Sequence, residues 1–118
     1  MMNSALLKFM NPPFVEIVTV EALDQFLSGA SGSAAVLFKH SNTCGVSARA
    51  YAEMSKLSEP VGLITVQKAR AVSDEIEKRW QVDHESPQVL VIRDGKLVWV
   101  ASHFQVKAPD VERALETV

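Results

Sequence analysis

From residue 14 onward the apolar positions alternate between two periods. Val15-Glu16-Ile17-Val18 reads as a short strand, and Leu23, Phe26 and Leu27 recur at helical spacing until Ser28-Gly29-Ala30-Ser31-Gly32-Ser33 stops the pattern. Ala34-Ala35-Val36-Leu37-Phe38 is apolar on both faces, as a strand at the centre of a covered sheet must be. Val46, Ala50, Met54 and Leu57 repeat every three or four residues and predict one helix face, ended by Glu59-Pro60. Val61 to Val66 is a second buried strand, and Val72, Ile76 and Trp80 stripe the next helix. The period then drops to two. Val89-Leu90-Val91-Ile92 and Leu97-Val98-Trp99-Val100-Ala101 flank Arg93-Asp94-Gly95-Lys96, and Asp-Gly between two β-rich runs predicts a hairpin. Ala108-Pro109-Asp110 opens a last helix with Val111, Ala114, Leu115 and Val118 inward.

The predicted order is β-α-β-α-β-α-β-β-α. Right-handed crossovers make the first three strands parallel, and the Asp-Gly turn makes the last two antiparallel neighbours. The fold class is therefore α/β: a thioredoxin-like fold with a central mixed sheet of about five strands flanked by helices. Residues 14–118 form that domain. Asn11-Pro12-Pro13 cannot continue a helix, which sets residues 1–13 apart as a tail or short helix.

Composition narrows the functional classes. A chain of 118 residues with 47% hydrophobic content supports one core, and a net charge of -2 gives no general reason for a nucleic-acid or anionic-membrane partner. No apolar run approaches the ~20 residues of a membrane span, and the start lacks the features of a secretory signal, which predicts a cytoplasmic protein. The single cysteine excludes an internal disulfide and a cysteine-based zinc site. His40, His84 and His103 are too scattered for a zinc-protease pattern, so no metal is expected. Neither a GxxxxGK loop nor a GxGxxG fingerprint occurs.

The chemistry that remains centres on Cys44, in Phe38-Lys39-His40-Ser41-Asn42-Thr43-Cys44-Gly45-Val46-Ser47. An inert filler cysteine belongs inside an apolar run. Cys44 instead stands among turn residues at the mouth of a helix, where unpaired N–H groups and the positive end of the macrodipole favour a thiolate. Lys39 and His40 upstream are candidates for adding positive potential. Such a thiol benefits most as a leaving group: it accepts a sulfur partner and gives it up quickly. Ahead of the hairpin, Ser86-Pro87 has two readings. Proline is tolerated at the start of a strand; a cis bond there would instead hold the Ser86 backbone open to a substrate chain beside the thiol.

With Cys44 at the strand–helix turn and Ser86-Pro87 before the hairpin, the chain resembles the monothiol bacilliredoxin family, a glutaredoxin-like branch of the thioredoxin superfamily associated with bacillithiol. FKHSNTCGVSARAY is similar to the family's Phe-Lys-His-Ser-x-Thr-Cys-Pro-x-Ser motif, HESPQVLVIRDGKLVW to its proline loop and hairpin, and VASHF to its fifth strand. The resemblance implies that Cys44 exchanges disulfides with a low-molecular-weight thiol such as bacillithiol, a co-substrate rather than a bound cofactor. It also implies that Pro87 is cis and that Thr43 and Ser86 border the substrate groove. Gly45, counted with the substrate-binding residues, replaces the family's proline, while Ser47 keeps the single-thiol form. The implied partners are S-thiolated client proteins and a small thiol or partner redoxin that resolves the capped cysteine. The alternative is a non-catalytic binding module that grips a partner strand beside Pro87. That module has no use for a thiol at a helix mouth.

Overall fold

The computed structural model describes residues 13–30 and 32–116. The segment 1–13, apart from Pro13, and Val118 lie outside the described residues. Five strands and four helices follow in order: β1 (Phe14–Glu16), α1 (Val20–Gly29), β2 (Ala34–His40), α2 (Gly45–Met54), β3 (Val61–Thr65), α3 (Arg70–Trp80), β4 (Gln88–Arg93), β5 (Lys96–Ser102) and α4 (Ala108–Glu116), with a 3-10 turn at His103–Gln105. The spatial order is β1-β3-β2-β4-β5. β1 and β2 run parallel to β3, and β4 runs antiparallel to both β2 and β5, so β2 is central with one neighbour of each kind.

Alternation along the central strand divides the core in two. Val36 and Phe38 point to one face, where Ala50 and Met54 of α2 and Val111 and Ala114 of α4 cover them. Leu37 points to the other, with Leu23 of α1 and Val72 and Ile76 of α3. All but Ala50 and Ala114 of these side chains are fully buried, and each large one contributes about 1.5–3 kcal/mol by leaving water. The sheet is thus the middle of three layers.

Two boundaries differ from the periodic pattern. β1 ends at Glu16, although Ile17 still donates its N–H to Leu63 O at 2.9 Å. Val18, two residues past the end of β1, is half exposed, and β1 is an edge strand of the sheet among the described residues. α2 stops at Met54, and buried Leu57 reaches the same core from the following turn, through its N–H bond to Met54 O. The hairpin turn is as expected for Asp-Gly: Asp94 (φ 53°) and Gly95 (φ 77°) both adopt the left-handed conformation that a two-residue loop of this twist requires. Trp80 closes over it, its indole N–H donating to Gly95 O at 2.9 Å.

Candidate functional site

β2 leads the chain out of the sheet centre into the turn Ser41-Asn42-Thr43, and α2 begins at Gly45. Cys44 is the N-cap residue, extended at φ -110° and ψ 125°, and its carbonyl accepts the Ala48 N–H at 3.0 Å. Its side chain caps nothing. The sulfur is therefore free to face a reactant while the first-turn N–H groups stay available beside it. Cys44 is a free, half-buried thiol; Thr43 and Gly45 on either side are exposed, and a Cβ added to Gly45 would meet nothing within 4 Å.

Three residues after Cys44, Ser47 is sealed in the first turn of α2 at 0% exposure. Its Oγ accepts the Ser41 N–H at 2.9 Å and lies 2.7 Å from His40 Nδ1. One hydroxyl thus ties the end of β2 to the start of α2. Burial lowers the pKa of His40 below its usual 6.5, against the opposing effect of the Ser47 bond, and so favours the uncharged ring. It sits among Phe38 and Tyr51, with ring centroids at 5.5 and 5.0 Å.

Gln67, just beyond β3, carries no motif and no periodic signal, and sequence reasoning does not single it out. Its Oε1 accepts the Asn42 N–H at 3.2 Å, while Nε2 donates to Ser41 Oγ at 2.8 Å and Thr43 Oγ1 at 3.3 Å. A single amide holds all three residues that precede the thiol.

The opposite wall is the loop ahead of β4. The Ser86–Pro87 bond is cis. Lys39 of β2 pairs with Gln88, which sets Pro87 next to the strand end that leads to Cys44. The loop is anchored on several sides: Pro87 O accepts the His103 N–H at 2.9 Å, Glu85 pairs with His103 Nε2 at 2.8 Å, and the His84 N–H donates to Glu77 at 2.7 Å. Buried Gln88 adds a bond from Nε2 to Asp83 O at 3.1 Å.

The structure brings Cys44, Thr43, Gly45 and His40 together around the first turn of α2, with Ser86 and Pro87 in the loop that leads into the adjoining strand β4. Lys39 goes elsewhere. It has the parity of Leu37, so it enters the face covered by α3, where it is fully buried and its Nζ makes no hydrogen bond. Burial lowers its pKa from 10.5 to about 8, with Glu77, Asp74 and Glu85 opposing the fall. The alternation that makes β2 a central strand is what turns Lys39 away from the sulfur.

Among the described residues no group of three His, Cys, Asp or Glu side chains is placed to hold a metal, and no helix is long and apolar enough to cross a membrane. An apolar cavity of about 480 Å³ between Val15, Phe26, Pro60 and Leu115 opens beside Ala34 and Ala35, at the end of β2 away from Cys44.

Comparison with known proteins gives this geometry a context. A family model described as "Monothiol bacilliredoxin BrxC" matches residues 15–111. A solved structure described as a candidate oxidoreductase with a thioredoxin fold superposes with a TM-score of 0.80 at 28% identity, covering 86% of this chain and 92% of that one. Fasciola hepatica thioredoxin superposes at 0.70 with 14% identity, over 86% of this chain and 95% of that one. A wild-type poplar thioredoxin h gives 0.68 with 23% identity, over 88% and 94%. The last two likenesses show the thioredoxin fold.

Proposed function

Because the chain belongs to the monothiol bacilliredoxin family, a family of thioredoxin-fold redox proteins, we propose that it removes a low-molecular-weight thiol from client proteins by disulfide exchange at Cys44. The observation that carries this reading is the position of the sulfur: a half-buried N-cap thiol that caps nothing, one strand away from an anchored proline loop.

The reaction runs in two exchanges. The Cys44 thiolate attacks the small-thiol sulfur of a client mixed disulfide, the S–S bond to the client sulfur breaks, and the client leaves as a thiolate that takes up a proton. Cys44 is now capped by the small thiol. A second small thiol, as thiolate, attacks the cap sulfur, which releases a symmetrical small-thiol disulfide and regenerates Cys44. One disulfide replaces another: the client thiol is restored, and the single free small thiol consumed is joined in a symmetrical disulfide to the small thiol that had blocked the client. Ser47 stands where an internal resolving thiol would be, and as the chain has one cysteine the second exchange is intermolecular. Bacillithiol is the co-substrate the family name points to, and a reducing cytoplasm is the compartment that suits a resolving step of this kind. Thr43, Gly45, Ser86 and Pro87 line the approach to the sulfur, and His40 contributes through Ser47.

The test is intact mass after mixing with an oxidised small thiol such as bacillithiol disulfide. One adduct per chain is expected, removed by added reduced thiol and lost in Cys44→Ser. An unmodified chain that still captured an extended client peptide beside Pro87 would point instead to a binding module.

A further inference from the structure

The exchanges at Cys44 leave one wall beside the thiol without a task. Val46, Arg49 and Glu53 recur at spacings of three and four and so share one face of α2, beginning two residues after the sulfur. The 3-10 turn at His103–Gln105 packs against α2. Between them lies a cleft of about 140 Å³, lined also by Phe104 and Lys107. That is well below the ~300–1,000 Å³ of pockets that enclose a whole ligand, and it suits one side chain of a larger partner.

The turn is fixed to the proline loop by its first residue. His103 donates its N–H to Pro87 O at 2.9 Å, and its ring meets Glu85. At φ 57° His103 adopts the left-handed conformation, uncommon for a residue other than glycine, and the chain leaves β5 abruptly there. Phe104 comes next. At 63% exposure it is the most exposed large apolar side chain among the described residues. A single apolar residue on a surface needs no explanation, but this one shares its cleft with half-buried Val46 beside the thiol. Charge gives the cleft a preference. Arg49 and Lys107 are exposed, and their side chains form no ion pair or hydrogen bond among the described residues. Glu53 is the one carboxylate of the lining, and it is already engaged: Oε2 pairs with Lys56, and Oε1 accepts the Ala108 N–H at 2.9 Å. Those two bonds lead in lowering its pKa, with Arg49 contributing last and only through space. Positive charge is left over on the cleft, although the chain as a whole carries -2.

Resting on the exchange reading above, we infer that this cleft selects among client proteins. It takes a segment in which an apolar side chain and carboxylates flank the S-thiolated cysteine, the apolar group packing on Phe104 and Val46 and the carboxylates meeting Arg49 and Lys107. These residues determine specificity and touch no reacting atom. The sulfur chemistry is unchanged: the Cys44 thiolate forms a new S–S bond to the small-thiol sulfur, the bond to the client sulfur breaks, and the client departs as a thiolate, drawing its flanks out of the cleft.

The experiment follows, by mass, the release of free thiol from two peptides whose cysteine is capped by the same uncharged thiol, β-mercaptoethanol. Both carry leucines beside the cysteine; one adds glutamates and the other lysines. Each rate is taken relative to attack by free β-mercaptoethanol on the same peptide, and hydroxyethyl disulfide, which has no client flanks, is the control. The parent is expected to favour the acidic peptide about five- to tenfold at low salt, a preference that shrinks as salt screens the charges. Phe104→Ala is expected to slow both peptides about tenfold and to leave the control within about twofold. Arg49→Gln combined with Lys107→Gln is expected to abolish the preference between the peptides, again with the control unchanged. All three side chains are exposed, so the circular dichroism of the variants should match the parent. Equal slowing of peptides and control by Phe104→Ala would show a role in holding the thiol turn, no slowing would show an idle phenylalanine, and equal parent rates with both peptides would show an indifferent cleft; each overturns the inference while exchange at Cys44 stands. A parent protein that forms no adduct with hydroxyethyl disulfide overturns the exchange reading and the inference with it.

Discussion

Ser47 is the residue on which the thiol turn depends. Its hydroxyl is the buried acceptor for the Ser41 N–H and the partner of His40 Nδ1. Ser47→Ala leaves the Ser41 donor unsatisfied at a buried position, which costs about 1–3 kcal/mol. A lower urea denaturation midpoint with an unchanged slope, the product of shift and slope matching that loss, is the expected outcome. Gly45 behaves differently, since an added Cβ there meets open space. Gly45→Ala is expected to raise stability by about 0.4–1 kcal/mol by narrowing the unfolded ensemble, measured in the same titration. At this scale the sequence is partly informative. Cys44 can be located from the turn residues around it, but the side chains that fix it cannot. Ser47 and Gln67 act through contacts across the chain that have no period and no local propensity, and Gln67 lies 23 residues beyond the thiol.

Elements were far more legible, because their signal is repetition. Every strand and helix predicted from the apolar pattern occurs within the described residues, in the predicted order and with the predicted sense. The errors fall at ends, as with β1 and α2, where burial of Ile17 and Leu57 continues after the regular backbone stops. The pattern did not reveal how tightly α1 lies on β3. A Cβ on Gly62 would sit 2.7 Å from Ile17 Cδ1 and 3.0 Å from both Leu37 Cδ2 and Phe26 Cε2. Glycine is what lets helix and sheet approach there. Gly62→Ala is expected to destabilise the protein by about 1–3 kcal/mol through overpacking, a loss readable as a fall in thermal midpoint.

For the molecule as a whole, the buried amine of Lys39 links stability to pH. Folded Lys39 loses its proton near pH 8, whereas the unfolded side chain keeps it to about pH 10.5. Between those values the unfolded chain binds more protons, so stability rises with pH through that window, and the penalty of burying the cation is fully present below it. The gain from this residue is at most about 3 kcal/mol. Lys39→Met should remove that slope and stabilise the protein at pH 7; subtracting parallel urea titrations of parent and variant from pH 7 to 10.5 isolates the effect from other groups. In the sequence the apolar run ends at Phe38 and Lys39 reads as a source of positive potential for the thiol; it is the continuation of β2 to His40 that gives the side chain a buried face.

The sheet order has one more consequence. The strand that delivers the sulfur is the most enclosed of the five, flanked on both edges and covered on both faces. Its amides should exchange with deuterated solvent only when the entire molecule opens, long after those of the outer hairpin arm around Val98, where the ladder slips by one residue. Thermal breathing that loosens the periphery will leave the sulfur's address unchanged for as long as anything folded remains.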